Sequence, residues 1–497
     1  MITTAEEFKR THPDYDKHAA EWRFLHHSYV GGPTYQKAQY LTRYLFESEE
    51  DYYGRLDSTP YDNHCKTIVH LYNSFIYANP PIRDVGSWNN NPVFEDFLED
   101  ADMEGRSLNQ FMRQVDITAS TFGHAWIIMD KSSEPAETLQ QQSELGIRPY
   151  LSLYNPMNVM DWQFSRQLNG KVELVYLKIV EEPTGQSHRI RVFTKESIEV
   201  YEMSDDRVRL IYAMENPIGS VPAVCCYNAR SGIPGIGLGE LGDIARLNRT
   251  IYDHTSEMIE IIRLANHPSL VKTQSVQAGA GPGAIIQMEE NMDPGLRPYL
   301  LQPDSASLDG VRGTISDLVR SINTIAAVGS VRATEARTMS GVALETENRI
   351  LNAKLSEKAD NLELCEEQLM ELWAKWQNTE WTGTIDYPDS FNARDRANDL
   401  EILIKSNDIS TNPRLREEIQ RQLAGLLVSD PHELGQIVDE TAVTELTHEP
   451  VTDATLESHM RSMLSEGYTE DQIKQLHPEL LDVMLRGYID MINNRNE

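Results

Sequence analysis

Apolar residues recur along this chain with two different periods, and the change of period divides it into regions. Before residue 130 the apolar positions are three or four residues apart, as in Asp62–Ala78 and in the stretch 107–123. This spacing places apolar side chains on one face of an α-helix. The apolar run Ala125–Met129, which follows Gly123, predicts a buried strand directly after the second helix.

Between residues 149 and 227 the period shortens to two, and turn signals such as Asn169-Gly170 recur at short intervals. Short runs in which apolar and polar residues alternate predict strands with one half-exposed face. The predicted strands form an antiparallel meander and comprise Val172–Val180, His188–Phe193, Ser197–Met203, Arg207–Ala213 and Val221–Tyr227.

Two helices with apolar stripes are predicted after the meander, from about Glu240 to Ala265 and from Leu308 to Ala326. Residues 266–307 between them are rich in Gly, Pro and Gln and contain three short strand candidates. These candidates are Ser269–Lys272, Ala284–Met288 and Tyr299–Gln302. The residues expected to pack the two helices are Ile244, Leu247, Ile251, Met258, Ile262, Val311, Ile315, Leu318 and Ile322. Either a single domain or a neighbouring subunit would provide the partner for these stripes.

The longest helix signal runs from Gly341 to about Asn378. Its second half carries a near-heptad stripe, namely Leu362, Cys365, Leu369, Leu372 and Trp376. The small and polar residues 327–340 before it predict a loop. A strand at Trp381–Tyr387 and further helices in 393–497 complete the predicted elements.

Composition narrows the class of protein. The chain has 497 residues, 40% of them apolar, and a net charge of -32. Such acidity disfavours tight binding of duplex DNA, which usually requires a basic surface.

No apolar run approaches the roughly 20 residues of a membrane-spanning helix. The N-terminus lacks a secretory h-region, and the four cysteines have neither disulfide-framework nor zinc spacing, so we expect a reducing cytoplasm.

No motif for catalysis stands out in the sequence. Gly235, Gly237 and Gly239 lie between a strand and a helix, as in a dinucleotide fingerprint, but the neighbouring strands form a meander rather than a βαβ unit. A flexible joint is the favoured interpretation of these glycines. Walker A, HExxH and GxSxG patterns are missing. We therefore expect no enzyme, and no catalytic, cofactor-binding or metal-binding residues, although a hydrolase using two carboxylates stays open as an alternative.

The order of the predicted elements resembles the portal proteins of tailed bacteriophages over about residues 60–390. The resemblance rests on Asn248–Ala265 as a first stem helix, His267–Val271 entering a clip, Leu308–Ala326 returning, and Ser340–Leu344 starting the long helix. Upstream, the segments similar to the wing of that family are Leu108–Asp130, Tyr154–Trp162 and Asn216–Val224.

The resemblance implies an α+β fold: a mainly helical subunit with an antiparallel β wing, two stem helices, a small β-containing clip, a long wing helix and a helical C-terminal crown. The implied divisions are the wing 1–235, first stem helix 236–265, clip 266–307, second stem helix 308–326, tunnel loop 327–340, long helix and strand 341–392, and crown 393–497.

The function implied by the resemblance is a ring, typically of twelve copies, at one capsid vertex of the virion, assembled in the host cytoplasm. Its partners would be the major capsid protein and scaffold, the large subunit of the terminase motor, the head-to-tail adaptor, and double-stranded DNA passing without sequence preference, with no membrane. The implied DNA-facing loop residues are Gly329, Ser330, Arg332, Thr334, Glu335 and Arg337. The alternative for that segment is a solvated loop in which these arginines pair with Glu335. The alternative for the whole chain is another virion connector component.

Overall fold

Two units make up the chain, residues 1–392 and residues 393–497. This computed structural model describes residues 2–131, 146–184, 187–267, 269–274, 277–278, 286–287, 291, 293–301, 305–332, 341–388, 391, 405, 416 and 419. The second unit is therefore described only at Lys405, Arg416 and Ile419, and the crown predicted for 393–497 lies outside the described residues.

Helices and strands are mixed in the first unit, as the α+β prediction requires. The described helices are α1 (Ala5–Lys9), α2 (Pro13–Val30), α3 (Gly32–Lys37), α4 (Glu49–Ser58), α5 (His64–Ile76), α6 (Pro92–Glu99), α7 (Leu108–Phe122), α8 (Leu241–Asn266), α9 (Ser305–Ile325), α10 (Gly329–Arg332) and α11 (Gly341–Gln377).

The described strands fall into five antiparallel sheets. Their bounds are β1 (Ile82–Asp84), β2 (His124–Lys131), β3 (Pro149–Tyr154), β4 (Val159–Arg166), β5 (Val172–Thr184), β6 (Ser187–Thr194), β7 (Ser197–Ser204), β8 (Arg207–Glu215), β9 (Ala223–Tyr227), β10 (Ser269–Val271), β11 (Gln277–Ala278), β12 (Ile286–Gln287), β13 (Tyr299–Leu301) and β14 (Thr384–Asp386). The largest sheet has the order β4-β5-β6-β7-β8, and a second has the order β3-β2-β9. The two-stranded pairs are β1-β14, β10-β13 and β11-β12.

The meander prediction is confirmed for β5 to β8 and wrong for the last predicted strand. Residues 223–227 form β9, which pairs with β2 in the three-stranded sheet instead of extending the meander. Val224 and Cys226 of β9 point into the main core, where the three-stranded sheet packs against α11. The burial of these two side chains explains why β9 belongs to the three-stranded sheet. The alternation of apolar and polar residues in the sequence does not specify which sheet a strand joins.

Local signals set the boundaries of α7 and β2. The Ser107 side chain accepts a hydrogen bond from the Gln110 backbone, and the Gln110 side chain accepts one from the Ser107 backbone, which is a capping box. At the other end Gly123 adopts a left-handed conformation with φ 96°, which ends the helix and turns the chain into β2. The predicted helix and following strand are confirmed.

The long helix α11 supplies one wall of the main core. Its predicted stripe is buried at Leu362, Cys365, Leu369 and Leu372, and Trp376 packs at the edge of the core. Trp373, next to this stripe, is also buried and packs against Trp88 with their ring centroids 4.5 Å apart. The near-heptad pattern therefore marks a helix that packs inside one chain along this half.

A second hydrophobic core joins α2 to the five-stranded sheet. Trp22 of α2, Trp126 of β2 and Trp162 of β4 are all buried there. His12 stacks on the Trp162 ring at a centroid distance of 4.3 Å. Helix α2, which lies outside the segments that resemble the portal family, is thus part of the packed structure of the first unit.

Candidate functional site

Helices α8 and α9 pack against each other, and the short strand pairs β10-β13 and β11-β12 lie in the segment that joins them. Both predicted helices and the predicted strands between them are confirmed, with boundary shifts of a few residues. Ile244, Ile251 and Ile322 are buried in the main core. These three side chains attach one end of the helix pair to the main core of the first unit.

Burial decreases along the helix pair toward the strand segment. Leu247, Met258, Val311, Ile315 and Leu318 are half-buried. Ile262 is 39% exposed and Leu264, two residues further on, is 49% exposed. The apolar stripe of α8 is thus only partly covered at Ile262 in the single chain.

The segment after α9 is more ordered than the predicted loop. Val328 is buried, the Tyr72 hydroxyl donates a hydrogen bond to the Ala326 carbonyl, and Gly329–Arg332 form the helical turn α10. The loop prediction is therefore wrong for 329–332, because tertiary contacts with α5 fix the chain there. Residues 333–340, which include Thr334, Glu335 and Arg337, lie outside the described residues.

Arg332 makes contacts inside the chain. Its guanidinium donates to Asn323 Oδ1 at 2.9 Å and meets His64 Nδ1 at 3.0 Å. The other ring nitrogen of His64 lies 3.2 Å from an Asp62 carboxylate oxygen. The hydrogen bond from His64 lowers the pKa of Asp62, while burial lowers the pKa of Arg332. This chain of contacts connects α10 to the start of α5, and no sequence signal marks His64 as its partner.

Gly329 and Ser330 begin the same helical turn. The carboxylate of Glu347 on α11 lies beside Gly329, close enough that a Cβ at position 329 would be 3.3 Å from both of its oxygens. The turn is therefore fixed between α5 on one side and α11 on the other. Of the six predicted loop residues, the structure describes Gly329, Ser330 and Arg332.

A buried ionic network lies where α7, α11 and the 228–240 segment meet. Lys358 of α11 lies 3.1 Å from an Asp116 carboxylate oxygen, donates to Ser120 Oγ at 2.7 Å, and also donates to Asn228 Oδ1. One helical turn away, Lys354 pairs with Glu240 at 2.7 Å. The charges balance, so the buried Lys358 keeps a counter-charge, while Lys354 is partly exposed.

The electrostatics of Glu240 follow from this network. Burial by itself would raise the pKa of its carboxyl, but the charges of Lys358 and Lys354 outweigh burial and lower it. Glu240 therefore stays ionised. Glu240 precedes the first residue of α8, but its side chain does not cap the helix. The carboxylate instead contacts Lys354 and Asn228.

A cavity of about 330 Å³ adjoins the network. Its lining includes Leu238, Gly239, Glu240, Ile325 and Lys354. Leu238 and Ile325 are each roughly half exposed. The cavity is thus open to solvent and combines apolar side chains with a neutralised ion pair.

The glycine-rich segment 232–239 packs tightly, so its interpretation as a flexible joint is wrong. A Cβ at Gly237 would overlap the Gly123 carbonyl group, and a Cβ at Gly239 would lie 2.9 Å from the Gly123 backbone nitrogen. Gly235 has φ 82° and lies against the Trp162 ring, whose nitrogen donates to the Pro234 carbonyl at 3.1 Å. These glycines are required because two backbone segments approach each other directly.

His124 is buried where this segment meets β2. Its Nδ1 accepts a hydrogen bond from the Gly237 backbone at 3.3 Å, and Trp22 packs edge-on against its ring. Burial lowers the pKa of His124 to about 3. The ring is therefore neutral in the folded protein at neutral pH.

Acidification is expected to destabilise the first unit through His124. Because its folded pKa of about 3 lies below the unfolded value of about 6.5, the unfolded chain binds the proton more tightly. The free energy of unfolding should fall as pH drops below about 6.5, by about 2 kcal/mol at pH of about 5. Burial also lowers the pKa of His26 and His70, which act in the same direction.

Urea unfolding at pH of about 7.5 and about 5 measures this effect. His124→Gln should reduce the loss of stability between the two pH values, whereas His188→Gln, at an exposed position on β6, should leave it as in the wild type. Equal pH dependence of the His124→Gln variant and the wild type would contradict the assignment.

Two further titratable side chains have partners or burial that account for them. His254 Nδ1 on α8 lies 2.9 Å from a Glu257 carboxylate oxygen. Cys65 is buried, and burial raises its pKa to about 12. Within the described ranges, no group of three or more metal-ligating side chains comes together, and every helix is too short or too polar to cross a bilayer.

Solved structures similar to this chain include two from gene transfer agent particles. No protein-family model and no curated protein matches this sequence. A chain from the virion of a native gene transfer agent particle is 9% identical with a TM-score of 0.40, over 72% of this chain and 89% of that chain. A chain from the neck of an empty gene transfer agent particle is 10% identical with a TM-score of 0.43, over 79% of this chain and 99% of that chain. Similarities at these TM-scores assign no function to this chain.

Proposed function

We propose that this chain is the subunit of a portal ring, which occupies one capsid vertex of a phage-like virion and forms the channel for genome packaging and ejection. The observation that carries the proposal is the helix pair α8–α9. It is preceded by a sheet, interrupted by short strands and followed by a 37-residue helix, in the order found in the portal family.

The burial gradient along α8 supports assembly with other copies. Ile244 is fully buried at one end, whereas Ile262 and Leu264 are exposed at the other. Exposed apolar side chains gain free energy when a neighbouring surface covers them. A ring supplies such a surface to every subunit, and we propose twelve copies by the family resemblance.

We assign the channel contact with DNA to the segment 333–340, which follows α10. Arg337 and Thr334 belong to this segment, whereas Arg332 positions its start through His64 and Asn323. An acidic chain with a net charge of -32 offers passing phosphates little adhesion, so contacts by Arg337 would be weak and independent of sequence.

The partners proposed with this role are the terminase large subunit during packaging, the head-to-tail adaptor afterwards, and the capsid protein and scaffold around the ring. The residues 393–497 are proposed as a crown that faces the capsid interior. The proposed location is the virion, and the proposed role is structural and not enzymatic.

Electron micrographs and native mass spectrometry of the purified chain test the proposal. We expect closed rings with a central hole in end-on views. The double variant Ile262→Asp with Leu264→Asp should reduce the ring population at least tenfold while leaving the thermal unfolding midpoint of the chain unchanged, because both positions are exposed in the single chain. The matched control is Leu168→Asp, at a fully exposed hairpin position.

Two results would contradict the portal assignment. One is a monomer under every condition, including co-expression with the capsid protein. The other is a ring population that the Ile262→Asp and Leu264→Asp substitutions leave unchanged, since the exposed end of α8 would then have no part in assembly.

A further inference from the structure

The contact between Arg332 and His64 fixes the protonation state of the imidazole ring. The Arg332 guanidinium lies 3.0 Å from His64 Nδ1 and donates to Asn323 Oδ1 at 2.9 Å. A guanidinium has donors and no acceptor, so His64 Nδ1 takes part in this contact as the acceptor. The proton of the neutral ring is then on Nε2, which lies 3.2 Å from an Asp62 carboxylate oxygen. The ring is therefore neutral in this geometry.

The His64 ring has little room to turn away from Arg332. His64 is 6% exposed, and its backbone nitrogen donates to the side-chain oxygen of Asn248 on α8 at 3.1 Å. Asn248 is also buried. Asn63, the residue before His64, caps α5 by accepting a hydrogen bond from the Lys66 backbone at 2.8 Å. The ring is thus held in place by the start of α5 and by α8.

Arg332 anchors the last residue of the short helix α10. The first residues of this helix follow the buried Val328, whose carbonyl accepts from the Arg332 backbone at 3.0 Å. Val331, by contrast, is 46% exposed. A single helical turn is unstable without tertiary contacts. The contacts of the Arg332 side chain with α5 and α9 therefore decide whether the end of α10 keeps its position.

A second proton on His64 is incompatible with this contact. An imidazolium has donors on both nitrogens, so a charged His64 would direct a donor and a positive charge at Arg332. His64 is also the first residue of α5, and the N-terminal end of a helix disfavours a positive charge.

The other groups around the contact compensate only weakly. Among the described residues here, Asp62 is the neighbouring carboxylate, whereas α8 and α9 contribute the uncharged side chains of Asn248 and Asn323. Asp62 favours the charged ring, but its side chain is 75% exposed, so solvent screens its charge. Protonation of His64 thus sets two positive charges against each other at a mostly buried position.

We propose that His64 and Arg332 form a proton-sensitive latch, in which the neutral ring holds α10 against α5 and the protonated ring repels Arg332 and releases the end of α10. Arg332 directly precedes the segment 333–340, which we assign to the channel contact with DNA. The consequence for the channel rests on the proposed portal function: acidification would free the residue that positions the start of the DNA contact.

Hydrogen–deuterium exchange of the purified full chain tests the latch. Protection factors, which correct for the intrinsic effect of pH on exchange, are compared at pH of about 8 and about 5, the interval in which histidine changes its charge. One coupled proton changes an opening equilibrium by at most about tenfold per pH unit. We expect the protection of residues 326–332 to fall by at least about tenfold more than that of α7, which reports the general acid destabilisation through His124.

Two substitutions remove the latch in different ways. His64→Gln keeps an oxygen that accepts from Arg332 but cannot gain a proton, so 326–332 should stay protected at both pH values. Arg332→Gln removes the opposing charge, so protection should be lower at pH of about 8 but should not fall further than that of α7 on acidification. His188→Gln, at an exposed position on β6, is the matched control and should respond as the wild type does.

The outcomes separate the latch from the portal function. If 326–332 follow α7 in the wild type, or if the two glutamine variants at positions 64 and 332 keep the wild-type response, the latch is wrong, and rings in electron micrographs would leave the portal proposal intact. If the response is lost in both variants while the chain forms no ring under any condition, the latch stands and the portal proposal fails. The thermal unfolding midpoint of each variant shows whether it is folded, and Arg332→Gln alone decides the test if His64→Gln does not fold.

Discussion

Replacing Glu366 with alanine is expected to lower the free energy of unfolding by about 3–5 kcal/mol. Glu366 lies on α11 and is completely buried. Its carboxylate accepts hydrogen bonds from Nε and Nη2 of Arg83 and from the Tyr387 hydroxyl, the last at 2.7 Å. Without the carboxylate, a guanidinium would be left buried with no counter-charge, which costs more than the pair itself contributes.

The effect of this substitution extends beyond one contact. Arg83 is on β1 and Tyr387 follows β14, so the carboxylate joins the β1-β14 pair to the long helix. Burial favours the neutral form of Arg83, but the charge of Glu366 outweighs it and raises the pKa of the guanidinium. The pair is therefore fully ionised, and losing one partner strands the other charge.

Chemical denaturation of three variants measures the prediction. Glu371→Ala, at an exposed position on the same helix, should change the stability by less than about 0.5 kcal/mol. The double variant Arg83→Met with Glu366→Leu should recover part of the loss, since no charge stays buried. A Glu366→Ala variant as stable as Glu371→Ala would refute the role of the pair.

Replacing Gly237 with alanine should destabilise the first unit by about 3 kcal/mol. The added Cβ would overlap the Gly123 carbonyl group, and both partners are backbone atoms that cannot move as a flexible side chain would. The two segments are also tied by hydrogen bonds, including Asn228 N to Gly123 O and Glu240 N to Ser120 O, each 2.9 Å. Separating the segments would break these bonds and open the ionic network at Lys358.

A matched control uses a glycine with free space around it. A Cβ at Gly310, inside α9, would meet no heavy atom within 4 Å. Gly310→Ala should therefore raise the stability by about 0.5–1 kcal/mol, because alanine favours the helix. If Gly237→Ala and Gly310→Ala unfold at the same denaturant concentration, the 232–239 segment is a flexible joint after all.

The sequence alone predicts the position and type of most described elements. The period of three to four residues located α5, α7, α8 and α9, and the near-heptad stripe from Leu362 to Trp376 located the buried face of α11. The period of two located β5 to β8. These predictions succeed because each depends on residues a few positions apart, whose geometry is set by the helix or strand itself.

The folded structure, and not the local sequence pattern, shows which distant segments meet. His64 holds Arg332 across 268 residues, β9 pairs with β2 instead of β8, and Gly123 lies directly against Gly237. A glycine chosen for close approach and a glycine chosen for flexibility look the same in a sequence, as do a paired arginine and a solvated one. The local pattern records which side chains must be buried, whereas the partner that buries them is fixed by the packing of the whole unit.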